Sequence, residues 1–294
     1  MPGWGAQLPP ERVLGEIRSL GIRAVEAGPI GYLGEDAAAI RRRLEQHELS
    51  LVGGFVPVVV HDPAQLTATL AAARSVAALY AAAGGQVLVS APVVDLDWSP
   101  RIPLGTSGWR AVFDGLARIE EIAAQEALQH VVHPHVGTLV ETADDVERVL
   151  AGSEVRLCLD TGHLTLGGFD PLALARDAPD RVGHVHLKDV RGEPMGELRA
   201  GRATLLEATR RGVFAPLGEG EAHVAETVRA LEQHGYAGWY VLEQDAAFAD
   251  GQAPAPGSGP AEDARRSIRF LESHLGGRDT VVSSTGREVG RTTR

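Results

Sequence analysis

Short runs of consecutive apolar residues alternate along this chain with longer stretches in which apolar positions recur every three or four residues. The first pattern marks strands covered on both faces, and the second marks helices with one buried stripe. Val13, Ile17 and Leu20 open the series as a helix that follows Pro9-Pro10 and stops before Gly21. Residues 22–27 then read as a strand, 36–47 as a helix and 50–56 as a strand. After His61-Asp62-Pro63, an alanine-rich helix carries Leu66, Leu70, Ala73, Ala77 and Tyr80 on one face as far as Gly84-Gly85. Residues 86–90 form the next expected strand, and Val112, Leu116, Ile119 and Ala123 mark the helix behind it. Further strands are expected at 130–132, 155–159, 182–187 and 239–242. Helices are expected at 143–150, 171–178, 197–211, 222–234 and 261–275.

Strands joined by single helices pair in parallel through right-handed crossovers. Seven strands are visible, one short of a closed (β/α)8 TIM barrel. The absent one is expected to be the first, because the pattern opens on a helix. A doubly wound open sheet is the alternative, but Gly28-Pro29-Ile30-Gly31-Tyr32 after the first strand lacks the GxGxxG spacing of a dinucleotide-binding turn. We expect one barrel domain over residues 1–275, with a Gly/Pro-rich loop at about 246–260. The 276–294 tail, which lacks apolar periodicity, is expected to be disordered.

The chain has 294 residues, 44% of them hydrophobic, which is enough for one large core. Its 28 Lys and Arg against 39 Asp and Glu leave a formal net charge of −11. That deficit disfavours a nucleic-acid partner or an anionic membrane surface. The basic run Arg41-Arg42-Arg43 reads as a solvated helix face. The one cysteine, Cys158, lies in an apolar run and reads as a small buried hydrophobe in a reduced, cytoplasmic compartment. No stretch reaches the roughly 20 apolar residues of a membrane span.

In a parallel barrel the active face is where the C-terminal strand ends converge. Four consecutive strands here end in carboxylate or imidazole. The fourth leads to His133-Pro134-His135, with Glu141 six residues past His135. The fifth ends in Asp160-Thr161-Gly162-His163, the sixth contains His184 and His186 ahead of Lys188-Asp189, and the seventh ends in Glu243-Gln244-Asp245. Taken singly, Asp160 is a helix cap, the two histidines are core residues and Glu243 pairs with a nearby cation. Together they form a donor set of carboxylate and imidazole suited to Mn2+, Co2+ or Mg2+, or to Zn2+. Leu217-Gly218-Glu219-Gly220-Glu221 reads as an ordinary turn, because two glutamates repel phosphate.

The segments Leu159-Asp160-Thr161-Gly162-His163, His184-Val185-His186-Leu187-Lys188-Asp189, Pro216-Leu217-Gly218-Glu219-Gly220 and Leu242-Glu243-Gln244-Asp245 resemble the sugar isomerase/epimerase superfamily with the xylose-isomerase-like barrel. Within it, His133-Pro134-His135-Val136-Gly137-Thr138 with Glu141, Glu26-Ala27-Gly28-Pro29, Gly31-Tyr32-Leu33 and Val52-Gly53-Gly54-Phe55-Val56-Pro57 are similar to inosose (2-keto-myo-inositol) dehydratase-like proteins. The resemblance implies a divalent metal held by Asp160, His186 and Glu243. The fourth ligand of the family is a Glu at the position held here by His133, so Glu141 is expected to replace it, with His133 second. The resemblance places His163 and Lys188 against substrate, joined by His135 and His133. It also implies a first strand ending just before Pro2-Gly3-Trp4-Gly5, so two readings stay open: a natural start upstream of Met1, or a barrel that lacks its first strand.

The expected activity is that of a metal-dependent lyase or isomerase working next to a carbonyl. A keto-inositol such as scyllo-inosose would lose water, with Glu141, His163, Lys188 and His135 as catalytic candidates. Two alternatives stay open: a ketose epimerase or isomerase passing through the same enediolate, and a metal- or sugar-binding protein with a degenerate barrel. The expected partner is a small polyhydroxylated ketone or sugar, and a homo-oligomer is left open.

Overall fold

The structure, a computed structural model, describes residues 7–249 and 252–274. All seven expected strands form. Strands β1 (Ala24–Glu26), β2 (Ser50–Val58), β3 (Val87–Pro92), β4 (Gln129–Val132), β5 (Leu157–Asp160) and β6 (Val182–Leu187) pair in parallel with their chain neighbours. Two-residue strands β7 (Asp189–Val190) and β8 (Phe214–Ala215) then form a separate antiparallel pair, and β9 (Tyr240–Leu242) returns to the edge of β6. That small pair has no counterpart among the expected elements, since two residues carry no periodicity.

Helices cover the outer face. They are α1 (Pro10–Ser19), α2 (Ala37–Gln46), α3 (Pro63–Ala82), α4 (Thr106–Gln125), α5 (Ala143–Gly152), α6 (Thr161–Gly167), α7 (Pro171–Asp177), α8 (Gly192–Arg199), α9 (Leu205–Arg210), α10 (Val224–Gln233) and α11 (Pro260–His274). Their starts are chemically marked. Asp36 accepts from Ala39 N, Asp62 accepts from Ala64 N with Pro63 in the first turn, and Thr142 with Asp145 forms a reciprocal box. The single helix expected over 197–211 is two. Gly201, at φ +68°, follows the end of α8, and a second reciprocal box between Thr204 and Glu207 opens α9. Helix α6 was not expected either; it starts directly at the end of β5.

Side chains of the sheet divide into two layers. Leu88, Leu157, Leu159 and Val185 face outward into the main core with Val112, Leu116 and Ile119 of α4. Ala24, Val52, Val87, Val89, Val131 and Cys158 face inward and pack on one another, with Phe55 and Trp239 beside them. Glu26 on β1 accepts hydrogen bonds from His184 and His186 on β6, so the sheet curls until its far strands touch across the interior. Among the described residues, β1 pairs with β2 alone and β9 with β6 alone. The segment after β9 lies against α1, where Arg12 donates to Pro254 O (2.7 Å) and Glu16 accepts from Gly257 N (3.1 Å). The stretch expected to follow a missing strand, residues 2–5, and the 276–294 tail lie outside the described residues. Among the described residues no helix is long and apolar enough to cross a membrane.

Candidate active site at the barrel mouth

Each residue of Asp160-Thr161-Gly162-His163 has a separate task at the end of β5. Asp160 Oδ1 caps α6 by accepting from His163 N (2.7 Å), which leaves Oδ2 pointing into the barrel. The Thr161 hydroxyl donates to Lys188 O (2.6 Å) and accepts from Lys188 N (2.9 Å), joining the ends of β5 and β6. Gly162 makes room for the Lys188 stem: a Cβ there would sit 2.8 Å from Lys188 Cγ and 2.9 Å from its Cβ. His163 then faces the mouth, fully buried.

On β6, residues 184 and 186 share the inner face because side chains alternate. Both donate Nε2–H to Glu26 Oε1, at 2.8 and 3.2 Å. That bond fixes the His186 ring so that Nδ1 faces Asp160 Oδ2 (3.7 Å) and Glu243 Oε1 (3.3 Å). Donors from Asp160, His186 and Glu243 all lie within 4.8 Å of one another. His133 joins them, with Nε2 3.5 Å from Asp160 Oδ2. Its Nδ1 lies 2.7 Å from Pro134 O and donates to it, so the Nε2 lone pair is the one turned inward.

Burial opposes every charge here, and the charges hold one another in place. Burial raises the Asp160 carboxyl, but the Lys188 ammonium and the surrounding imidazoles hold it well below the usual carboxylate range. Glu26 behaves alike: burial raises it, while the charge of His186 and the bonds from both imidazoles bring it well below. Burial disfavours the Lys188 ammonium, yet Asp160, Asp245 and Glu243 keep it fully charged. Its Nζ lies 2.7 Å from Glu243 Oε2, 2.8 Å from Asp245 Oδ2 and 3.6 Å from Asp160 Oδ2.

Two atoms at the centre lack any hydrogen-bond partner: Asp160 Oδ2 and His186 Nδ1, both buried. A carboxylate oxygen and an imidazole nitrogen that face each other in a buried site without hydrogen bonds are what a divalent cation satisfies, even with the Lys188 ammonium 3.6 Å from that oxygen. Asp160, His186 and Glu243, with His133 beside Asp160, therefore fit a metal ion, and Glu26 behind His186 is the carboxylate that would orient and strengthen a histidine ligand.

Above the cluster, His135 and His163 stack with ring centroids 3.7 Å apart. Burial, His133 and Lys188 push His135 down to about 3, and burial with His135 and Lys188 holds His163 well below the usual imidazole range, so both rings are neutral at neutral pH. His135 Nδ1–H donates to Val136 O, leaving Nε2 free to accept, whereas His163 Nδ1 accepts from Val136 N and its buried Nε2 is unpartnered. Trp98 stacks on Phe55 and meets the edge of His135, making an apolar wall beside the mouth.

Glu141 departs from expectation. The turn at Gly137 (φ +87°) folds the loop so that Glu141 Oε2 accepts from Gly137 N (2.8 Å) and faces Arg101 (4.0 Å) instead of the metal donors. Two residues that sequence reasoning did not assign to the site, Glu26 and Asp245, belong to it. Glu26 is the last residue of β1 and Asp245 lies three residues past β9, so the available signal was their place at the C-terminal ends of strands. The Leu217–Glu221 turn wraps a protein carboxylate: Asp189 Oδ2 accepts from Gly218 N and Gly220 N, and its Oδ1 accepts from Ala222 N.

Comparison with known proteins agrees with this architecture. The model of the xylose isomerase-like TIM barrel family matches residues 14–274. An inosose dehydratase from Geobacillus kaustophilus (strain HTA426) is 31% identical over 263 residues, covering 85% of each chain. A D-allulose 3-epimerase from Methylomonas sp. superimposes with a TM-score of 0.67 at 16% identity, over 90% of this chain and 91% of that one. The probable 3-DHS dehydratase from Bacillus anthracis superimposes with a TM-score of 0.67 at 13% identity, over 91% and 95%. With its parallel strands in barrel order and its polar cluster at their C-terminal ends, the chain is an enzyme that belongs to the xylose isomerase-like TIM barrel family.

Proposed function

We propose that this enzyme is a metal-dependent dehydratase of a cyclic polyhydroxylated ketone, of the keto-inositol type represented by scyllo-inosose. The observation that carries the proposal is the Asp160–His186–Glu243 cluster, with His133 beside it and two buried donor atoms unpartnered, at the mouth of the barrel. The kinship with an inosose dehydratase supports the substrate class.

His133, Asp160, His186 and Glu243 would hold the ion, and two carboxylates with two imidazoles suit Mn2+ or Co2+. When bound, the ion supplies Lewis-acid polarisation of the substrate carbonyl. His135, neutral and with Nε2 open, takes the proton from the carbon beside the carbonyl. The electron pair forms the carbon–carbon double bond as the β-hydroxyl departs. Across the stack, the unpartnered Nε2–H of His163 hydrogen-bonds that hydroxyl, and the proton taken up by His135 passes to it, so that the group leaves as water and both imidazoles end neutral. Lys188, fixed by three carboxylates, places its ammonium at the substrate's oxygen-rich edge. Phe55 and Trp98 receive the ring's C–H face and exclude bulk water.

The test is incubation of the enzyme, supplied with Mn2+ or Co2+, with scyllo-inosose and separately with ketoses, followed by product analysis. A dehydrated dione from scyllo-inosose is expected. Epimerised ketose with scyllo-inosose untouched would replace the proposal by an epimerase returning the proton.

A further inference from the structure

The two stacked imidazoles at the mouth are held by a single residue. His135 Nδ1–H donates to Val136 O (2.7 Å), and Val136 N donates to His163 Nδ1 (3.4 Å). Each ring therefore turns its Nε2 edge away from Val136. The tautomers fixed in this way are complementary: His135 presents a lone pair at Nε2, and the neutral His163 ring carries its proton there. Aromatic rings pack on both members, with Trp98 6.0 Å from His135 and Phe214 6.0 Å from His163 between centroids. The pair is held by packing as well as by hydrogen bonds.

Spacing decides which face of a substrate the pair can serve. Groups on opposite faces of a six-membered ring stand about 7 Å apart, twice an ordinary van der Waals contact of roughly 3.5 Å. The His135 and His163 centroids are 3.7 Å apart with 30° between the ring planes, so no substrate ring fits between them. Both imidazoles act from one side. The separation of two carboxylates sets the stereochemical outcome of glycoside hydrolysis by the same logic. A proton taken up by His135 Nε2 is delivered to an oxygen on that side, not to one behind the ring.

We propose that the stacked pair makes the site selective for relative configuration: it dehydrates a cyclic polyhydroxylated ketone only where the hydrogen beside the carbonyl (α) and the β-hydroxyl lie on the same face of the ring. The inference rests on the dehydratase reading above and specifies which substrates that reaction admits. The α-carbon–hydrogen bond breaks as its proton passes to His135 Nε2, and its electron pair forms the double bond to the β-carbon. The carbon–oxygen bond on that face breaks, and the same proton completes the water molecule while His163 Nε2–H holds the departing oxygen. The hydroxyls of scyllo-inosose alternate in face, which puts each ring hydrogen on the same face as the hydroxyl of the next carbon. A ketone with its β-hydroxyl inverted turns that oxygen to the opposite side, out of reach of the pair.

The experiment gives the full chain, supplied with Mn2+, scyllo-inosose and separately the racemic isomer inverted at one β-carbon, and identifies the diones by NMR. Loss of the inverted hydroxyl yields the same dione as scyllo-inosose. Loss of the other β-hydroxyl keeps the inverted centre and yields a diastereomer of that dione. We expect the diastereomer, with the shared dione at least about 100-fold less abundant, the scale of a lost acid–base contribution. A larger share of it, or an isomer left untouched while scyllo-inosose reacts, would overturn the proposal and leave the dehydratase reading standing. Intact scyllo-inosose would overturn that reading and the proposal with it. In His163→Gln, scyllo-inosose deuterated at its α-carbons should still lose label to water above the enzyme-free rate, while dione formation falls about 10-fold or more. An equal fall in both would overturn the part given to His163. The wild-type products decide the matter even where the variant folds poorly.

Discussion

Replacing Glu26 with Gln tests whether the residue behind His186 matters as much as the ligands themselves. The substitution keeps the shape and removes the charge. One oxygen, Oε1, accepts from both His184 and His186, at 2.8 and 3.2 Å, with the side chain 13% exposed. A hydrogen bond to a charged group contributes about 1.5–3 kcal/mol and a neutral one about 1 kcal/mol, so two bonds lose roughly 2 kcal/mol together. Burying a neutral amide costs less than burying a carboxylate, so the net fall in stability is about 1 kcal/mol. The effect on metal binding is larger in proportion. Without the carboxylate, the His186 ring is less basic and less fixed, and loss of such a partner lowers affinity about 10–100-fold. Mn2+ titration of chelator-treated wild type and variant, with thermal melts of both, reads the two effects apart. Unchanged Mn2+ affinity alongside lost stability would refute the reasoning, reducing Glu26 to a packing residue.

Gly162→Ala should lower kcat about 10-fold or more through displacement of the Lys188 stem, because a misplacement of ~1 Å near the chemistry is costly. Gly15→Ala in α1, with nothing within 4 Å of the added carbon, serves as the neutral control; equal activities would show that Lys188 adapts freely. Asp189→Asn should destabilise the chain by about 2 kcal/mol or more in denaturant melts, since the carboxylate accepts from three backbone amides of the 218–222 turn; an unshifted midpoint would contradict that role. His130 is buried against Ser90 and burial pushes it from 6.5 to about 3. The unfolded chain therefore takes up this proton first, so stability is whole above pH 6.5 and falls towards about 3, by at most about 1.4 kcal/mol per pH unit from this group. His130→Gln should flatten the acid side of the stability curve, and an identical slope would contradict the assignment.

The strands were legible because burial on both faces writes them as unbroken apolar runs, and a chain of single helices between them left parallel pairing as the economical topology. What escaped was short or distant. Strands β7 and β8 are two residues each, and α6 is hidden within a segment whose residues are spent on the site itself. Asp160, His186 and Glu243 could be placed together because each ends a strand, and the barrel gathers strand ends. Glu26 ends a strand too, but its partners lie 158 and 160 residues away across the interior, a contact that no local pattern encodes. Glu141 failed for the opposite reason: proximity in sequence suggested reach, whereas the left-handed turn at Gly137 gave its carboxylate a backbone amide four residues away.

The central claim is that His133, Asp160, His186 and Glu243 hold one divalent ion on which turnover depends. Its most direct test is a paired measurement on chelator-treated enzyme: Mn2+ stoichiometry, and conversion of scyllo-inosose before and after the ion is restored. One equivalent of Mn2+, dehydration only when it is present, and loss of both in Asp160→Asn with its melting curve retained are the predicted results. Full dehydration by metal-free enzyme, or Mn2+ bound undiminished by Asp160→Asn, would contradict the account.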